Sequence, residues 1–302
     1  MYRAARLLVT FLLSTGAATV QPATRLMASA AEGAGRAAPP AQATVKAAAA
    51  NSSDIALNEY DLETEHQLLA LANQSRRQAG APPLTLNAEL SQAARIHARA
   101  MLAARRLSHQ FDGEPELTQR LAATTHLQLD QEGENVAFDS DAQHGHQHLM
   151  LSPPHRANLL NPAYNVVGLG VVRSGDRLYI VQDFGHALPN YSPGEVKDRI
   201  AAAVNDARQQ AREAGLQPRD LAVVNQAACS MAHADKLGTS PVRKLSERFT
   251  VLSYTSLHPE TLPSEAARVV TNRNLHSFSI GACYGRSESY PTGVYWVVLS
   301  LE

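Results

Sequence analysis

Two cysteines in 302 residues are too few for a disulfide-dense scaffold or a four-cysteine zinc site. Aromatic side chains make up only 5% of the chain, with a single tryptophan. Neither sign of charge prevails, because 27 basic side chains face 28 acidic ones. That balance excludes a protein whose main partner is bulk nucleic acid or an anionic membrane surface. No run of roughly 18 apolar residues follows the N-terminus, so no transmembrane span is expected beyond it. What the chain does have is length for about two domains, at roughly 150 residues each, and a 44% hydrophobic content. Alanine inflates that figure. It fills 17 of the first 50 positions, where Tyr2 and Phe11 are the only aromatics, and such a stretch cannot bury a core.

The N-terminus reads as an export signal. Arg3 and Arg6 precede the apolar run Leu7 to Leu13, and a small-x-small exit lies at Ala28-Ser29-Ala30, so residues 1–30 are expected to be a signal peptide. No cysteine follows the run, so a lipid anchor is unsupported. Residues 31–58, rich in Ala, Gly and Pro, read as a flexible linker. The mature protein is expected outside the cytoplasm, in the periplasm or the exterior.

Periodicity begins after Asn58. Leu62, His66, Leu69 and Asn73 follow a helical repeat that breaks at Gly80-Ala81-Pro82-Pro83. A second helix is expected from Asn87 to about Leu107, with Leu90, Ala94, His97, Met101 and Ala104 on its apolar face. His97 there reads as a packed core histidine. Ser108-His109 follows, then Gly133-Glu134-Asn135, a helical stretch from Asp141 to Leu151, and Ser152-Pro153-Pro154-His155-Arg156. Val166 to Val172 and Leu178 to Phe184 read as a hairpin turned at Ser174-Gly175-Asp176.

These motifs, in this order and spacing, resemble the bacterial branch of the CAP superfamily, which groups cysteine-rich secretory proteins, venom allergens and pathogenesis-related proteins. The resemblance covers residues 59–188. It implies an α/β fold, specifically an α/β/α sandwich, and a cleft of histidines and acids that binds a divalent metal in several members. The family's first histidine matches His109, its GEN glutamate Glu134, and its second histidine His155. Its second glutamate has no match, and Leu149 stands nearest to its tryptophan.

Read for chemistry alone, two imidazoles and a carboxylate can hold a zinc-like ion and leave positions for water or ligand. They can equally shuttle a proton. Gly133 is expected to permit a turn that aims Glu134, with Asn135 fixing that turn. Single-residue alternatives stay open: His109 as a helix C-cap, Glu134 as a backbone acceptor, and His155 in the first turn of a helix begun by Ser152-Pro153-Pro154. His144 and His148, four apart, form a separate potential metal pair, although Gly145 and the polar neighbours point to a solvated helix start.

Residues 192–302 look like a worn repeat of the first unit, which makes two tandem units with the second divergent. Asn73–Gly80 recurs loosely in Asn205–Gly215, and Leu90–Ala94 in Val224–Ala228. Asn161 precedes Gly170 by the same interval as Asn272 precedes Gly281. Extending the ungapped helix match sets Arg243 opposite His109, and counting back from Asn272 sets Ala266 opposite His155. No GEN tripeptide recurs, so the chemistry is expected to be lost here. Cys229 and Cys283 both fall in this half. Export and an even count favour their pairing over two buried thiols, and the bridge would contribute about 4 kcal/mol in the chain-entropy model.

The functional expectation is a non-enzymatic binder of a divalent cation such as zinc, a small lipid-like ligand or a protein partner, acting through His109, Glu134 and His155. Two alternatives are kept. One is a metal-assisted or serine-type hydrolase with Ser108 or Ser152 as nucleophile; it lacks a Gly-x-Ser-x-Gly elbow and an HExxH motif. The other is a structural envelope protein.

Overall fold

The computed structural model describes Leu7–Leu8 and residues 60–302. The expected signal peptide, apart from those two leucines, and the 31–58 linker lie outside the described residues. Among the described residues no helix is long and apolar enough to cross a membrane. A two-residue strand, β1 (Leu7–Leu8), pairs with Tyr254 and Ser253.

The first lobe runs α1 (Leu62–Gln78), β2 (Thr85–Leu86), α2 (Ala88–Ala104), α3 (Leu117–Thr124), β3 (Leu129–Asp139), α4 (Ala142–Leu151), α5 (Pro153–Leu160), β4 (Val166–Ser174) and β5 (Arg177–Ala187). Its sheet is ordered β2-β4-β5-β3, with β2 parallel to β4 and the other pairs antiparallel. One face packs on α1, α4 and α5 through Leu68, Ala72, Leu149, Leu159, Leu169 and Ile180. The other packs on α2 through Ala94, Ala98, Met101, Val136 and Val181. Helices on both faces make the expected α/β/α sandwich.

The second lobe runs α6 (Pro193–Gln210), β6 (Gln217–Pro218), α7 (Ala222–Ala234), α8 (Ser240–Ser246), β7 (Thr250–Ser256), α9 (Ser264–Val270), β8 (Ser277–Gly285) and β9 (Val294–Leu301). Its sheet repeats the order as β6-β8-β9-β7, with β1 added beyond β7, and again only the short β6 is parallel. Alternation along β9 feeds both faces: Tyr295, Val297, Leu299 and Leu301 meet α6 and α9, whereas Val294, Trp296 and Val298 meet α7 and α8. Cys229 of α7 and Cys283 of β8 form the expected disulfide.

Two buried arginines do the same job in the two lobes. Arg76 of α1 donates from Nε to the Pro82 carbonyl (2.6 Å), from Nη1 to those of Leu159 and Asn161 (2.9 Å each), and from Nη2 to that of Tyr164 (2.9 Å). Arg208 of α6 donates to the carbonyls of Ala214, Val270 (2.6 Å) and Asn272 (3.0 Å). Each guanidinium satisfies carbonyls at the end of a helix and in the loop beyond it, groups that helix geometry leaves unpaired.

Two expectations about helices need correction. Helix α1 exists, but its buried face is Glu65, Leu68, Ala72 and Arg76, and Leu62 is exposed. The polar Glu65 and Arg76 are buried because each is paired, Glu65 with Arg95 at 2.9 Å. The match between α2 and α7 is displaced by one turn. A Cβ on Gly170 would strike the Ala94 backbone at 2.3 Å, and one on Gly281 would strike Val224 at 2.2 Å. Val224 therefore stands where Ala94 does, not where Leu90 does. The left-handed caps Arg105 and Asp235 agree with that register.

The lobes meet through a few polar contacts. Arg286 donates to the carbonyls of Ala122 (3.3 Å) and Thr125 (2.7 Å). Asp130 accepts from His186 at 2.6 Å in its own lobe and lies 3.1 Å from His258 of the other.

Candidate functional site

His109 sits in the loop between α2 and α3, and Glu134 lies in the middle of β3. The His109 Nδ1 is 2.8 Å from Glu134 Oε1. The His109 ring is 58% exposed while the Glu134 side chain is buried. This bond is the main cause that holds the His109 pKa above its ordinary value. A carboxylate only accepts, so the His109 proton sits on Nδ1 and the Nε2 lone pair faces outward.

Gly133 does not make a turn. It lies inside strand β3, paired with Phe184, and its φ is not positive. Glycine is required there because a Cβ would lie 2.5 Å from the Tyr164 hydroxyl, which donates to the Glu132 carbonyl at 3.0 Å. The strand itself, through its alternation, turns Glu134 into the site.

Arg120 of α3 holds both ends of the His109–Glu134 pair. Its Nη2 donates to Glu134 Oε2, and its Nη1 donates to the His109 carbonyl at 2.9 Å. Both carboxylate oxygens of Glu134 are therefore occupied. His97 is buried as expected, yet it is more than packing. Its Nε2–H donates to the Ser108 carbonyl (2.8 Å), and its Nδ1 meets Glu114 Oε1 (2.7 Å). His97 and Arg120 together pin the loop that presents His109.

His155 lies in the first turn of α5 with a half-buried ring. Burial pushes its pKa down, and His109 lowers it further whenever that ring is protonated. Asn135 carries its main chain, donating from Nδ2 to the His155 carbonyl at 3.1 Å. Asn158 of α5 donates in turn to Asn135 Oδ1 (3.0 Å) and to the Glu134 carbonyl (3.1 Å). These two amides lock α5 onto β3, so they position His155 rather than shape a turn.

Asp183 of β5 faces Glu134 across the ladder and is only 1% exposed. Burial first, then the charge of Glu134, raises its pKa well above its ordinary value. Its Oδ1 has no hydrogen-bond partner among the described residues. Neither Arg120 nor Asp183 was singled out from the sequence; the only signal was charge inside apolar surroundings, as in the acid of LYIVQDFG. Among the described residues no three His, Cys, Asp or Glu side chains are gathered closely enough to hold a metal ion.

The same positions in the second lobe carry no ionisable group. Glu134 pairs with Asp183, which pairs with Gly168; at the matching register Val251 pairs with Ser300, which pairs with Ser279. Asn135 and Gln182 correspond to Leu252 and Leu299. By the count back from Asn272, Ala266 falls opposite His155, and it lies buried in α9. Arg243, however, is not the counterpart of His109. The loop that carries His109 spans residues 105–116 between α2 and α3, and only residues 235–239 separate α7 from α8.

Residues 69–184 match the model of the cysteine-rich secretory protein family, CAP, and this part of the chain is a CAP domain. No curated protein matches the sequence. Among solved structures, an extracellular protein containing an SCP domain from Bacillus anthracis is 27% identical over 42% of this chain and 41% of its own, with a TM-score of 0.38. A structure of NaASP2 with Zn2+ is 13% identical over 42% of this chain and 81% of its own, with a TM-score of 0.32. Na-ASP-1 is 8% identical over 80% of this chain and 90% of its own, with a TM-score of 0.45.

Proposed function

We propose that the chain is an exported, non-catalytic binding protein whose working surface is the His109–Glu134–His155 face of the first lobe. The observation that carries this is the contact of His109 Nδ1 with Glu134 at 2.8 Å beside a largely exposed ring. Its Nδ1 is held by a buried carboxylate that Arg120 clamps, which leaves an exposed Nε2 beside His155. That donor set fits a divalent cation such as zinc held by two imidazoles, His109 and His155. Glu134 orients His109 rather than ligating, the usual relation between a carboxylate and a metal-binding histidine. A bound ion would keep open positions there for a small ligand or a partner's side chain.

Export is supported by the signal pattern at Arg3, Arg6 and Leu7 to Leu13, and by the disulfide, which suits an oxidising compartment. The second lobe is a worn copy of the first, a reading supported by the shared strand order and by the Arg76 and Arg208 staples. The serine-hydrolase alternative finds no support at Ser108, whose hydroxyl is turned to the Gln110 carbonyl at 2.5 Å.

Calorimetric zinc titration of the wild-type chain, His155→Ala and Glu134→Gln tests the reading. Affinity is expected to fall strongly in His155→Ala and about 10-fold in Glu134→Gln. Unchanged affinity in His155→Ala would reject the site.

A further inference from the structure

Helix α4 carries a second pair of histidines that the His109 site does not use. His144 and His148 are four residues apart, which sets their Cβ atoms about 5–6 Å from each other on one helical face. The opposite face, with Ala142, Gly145, His146 and Leu149, is buried. Gly145 is no mark of a solvated helix start: a Cβ there would lie 2.8 Å from Ile180, so it lets α4 seat closely on the sheet. The two rings stay exposed, at 59% and 63%.

Each ring is oriented by its own carboxylate. His144 Nδ1 lies 2.7 Å from Asp141 Oδ2, and His148 Nδ1 lies 2.6 Å from Asp139 Oδ2. The carboxylates are themselves fixed. Asp141 Oδ1 accepts from the His144 backbone N–H at 2.9 Å as the cap of α4. Asp139, nearly buried, accepts from the Ser140 backbone N–H at 3.0 Å. Because the carboxylates only accept, both protons sit on Nδ1 and both Nε2 lone pairs are free toward solvent. Two adjacent imidazoles are what a borderline metal ion prefers, and a carboxylate on the far nitrogen is the usual support of a metal-binding histidine.

We propose that His144 and His148 form a second, exposed divalent-cation site, taking Cu2+, Ni2+ or Zn2+ through their two Nε2 atoms with water completing the shell. Copper binds most tightly, following the general order for nitrogen ligands. Calcium and magnesium are rejected, because they demand oxygen ligands. Asp139 and Asp141 are engaged with the Nδ1 atoms, and among the described residues no group of three His, Cys, Asp or Glu side chains is placed to hold a metal ion, so the remaining positions stay open to outside molecules.

The test is a Cu2+ titration of the full chain carrying His109→Ala and His155→Ala, which separates this site from the other. Electron paramagnetic resonance at substoichiometric copper is expected to show two equatorial imidazole nitrogens. Asp139→Asn should weaken binding about 10-fold, and His144→Ala or His148→Ala should each weaken it further. Circular dichroism checks that these variants keep the fold. Unchanged copper affinity in the double variant His144→Ala/His148→Ala overturns the proposal, and so does a loss confined to one of the two single variants.

Discussion

The two lobes share a strand order, a parallel edge strand and a buried arginine staple, yet they differ where chemistry is possible. The first buries Glu134 and Asp183 beside Arg120 and presents His109 on a long loop. The second has Val251 and Ser300 at those positions and a short loop. The first lobe bears buried charge, which folding alone does not reward. The second has the simpler uncharged solution and adds a disulfide. The difference is what the proposed ligand site in the first lobe would require of Glu134 and Asp183.

The contrast can be broken most forcefully at the disulfide. Cys229→Ser with Cys283→Ser is expected to destabilise the second lobe by about 4 kcal/mol. Hydrogen exchange resolved by lobe would show this as lost protection in α7 and β8 with the first lobe unaffected. Next come the staples. Arg76→Ala and Arg208→Ala each strand at least three carbonyls and should each cost about 3 kcal/mol or more, read by urea unfolding. A loss for Arg76→Ala alone would break the equivalence of the two lobes.

Asp183 gives the smallest effect and the sharpest contrast. Its folded-state pKa is raised by burial and by Glu134, so protonation favours the folded lobe. That contribution is greatest below about pH 4, where an unfolded aspartate is also protonated. It is lost as pH rises toward the raised folded value. Asp183→Asn should therefore stabilise the protein by about 1 kcal/mol at pH 7 and flatten the slope of Tm between pH 4 and 7. Ser300→Ala at the matching position should leave that slope unchanged.

The scaffold was largely legible from the sequence because helix and strand periods leave a pattern in the apolar residues. The spacing of Leu90, Ala94, His97 and Met101 identifies α2 and its buried face, and Asn161 and Asn272 align the two sheets. What was illegible depended on long-range pairing. The burial of Glu65 and Arg76 depends on distant partners, Arg95 and the loop carbonyls, which no local spacing reveals, so the repeat through Leu62, His66, Leu69 and Asn73 locates α1 without marking its buried face. Gly133 reads as a turn residue because nothing local reveals the Tyr164 hydroxyl against it. Arg120 and Asp183 lie far from the motifs that they serve. The one-turn displacement of α7 followed from an ungapped match that cannot register a missing first turn.

The central claim is that the first lobe carries the ligand site and the second only its scaffold. Histidine ring NMR during zinc titration of the full chain tests it most directly. The account predicts early shifts of the His109 and His155 ring signals, with His233, His258 and His276 of the second lobe unmoved. Early shifts in those three, with His109 and His155 silent, would contradict it.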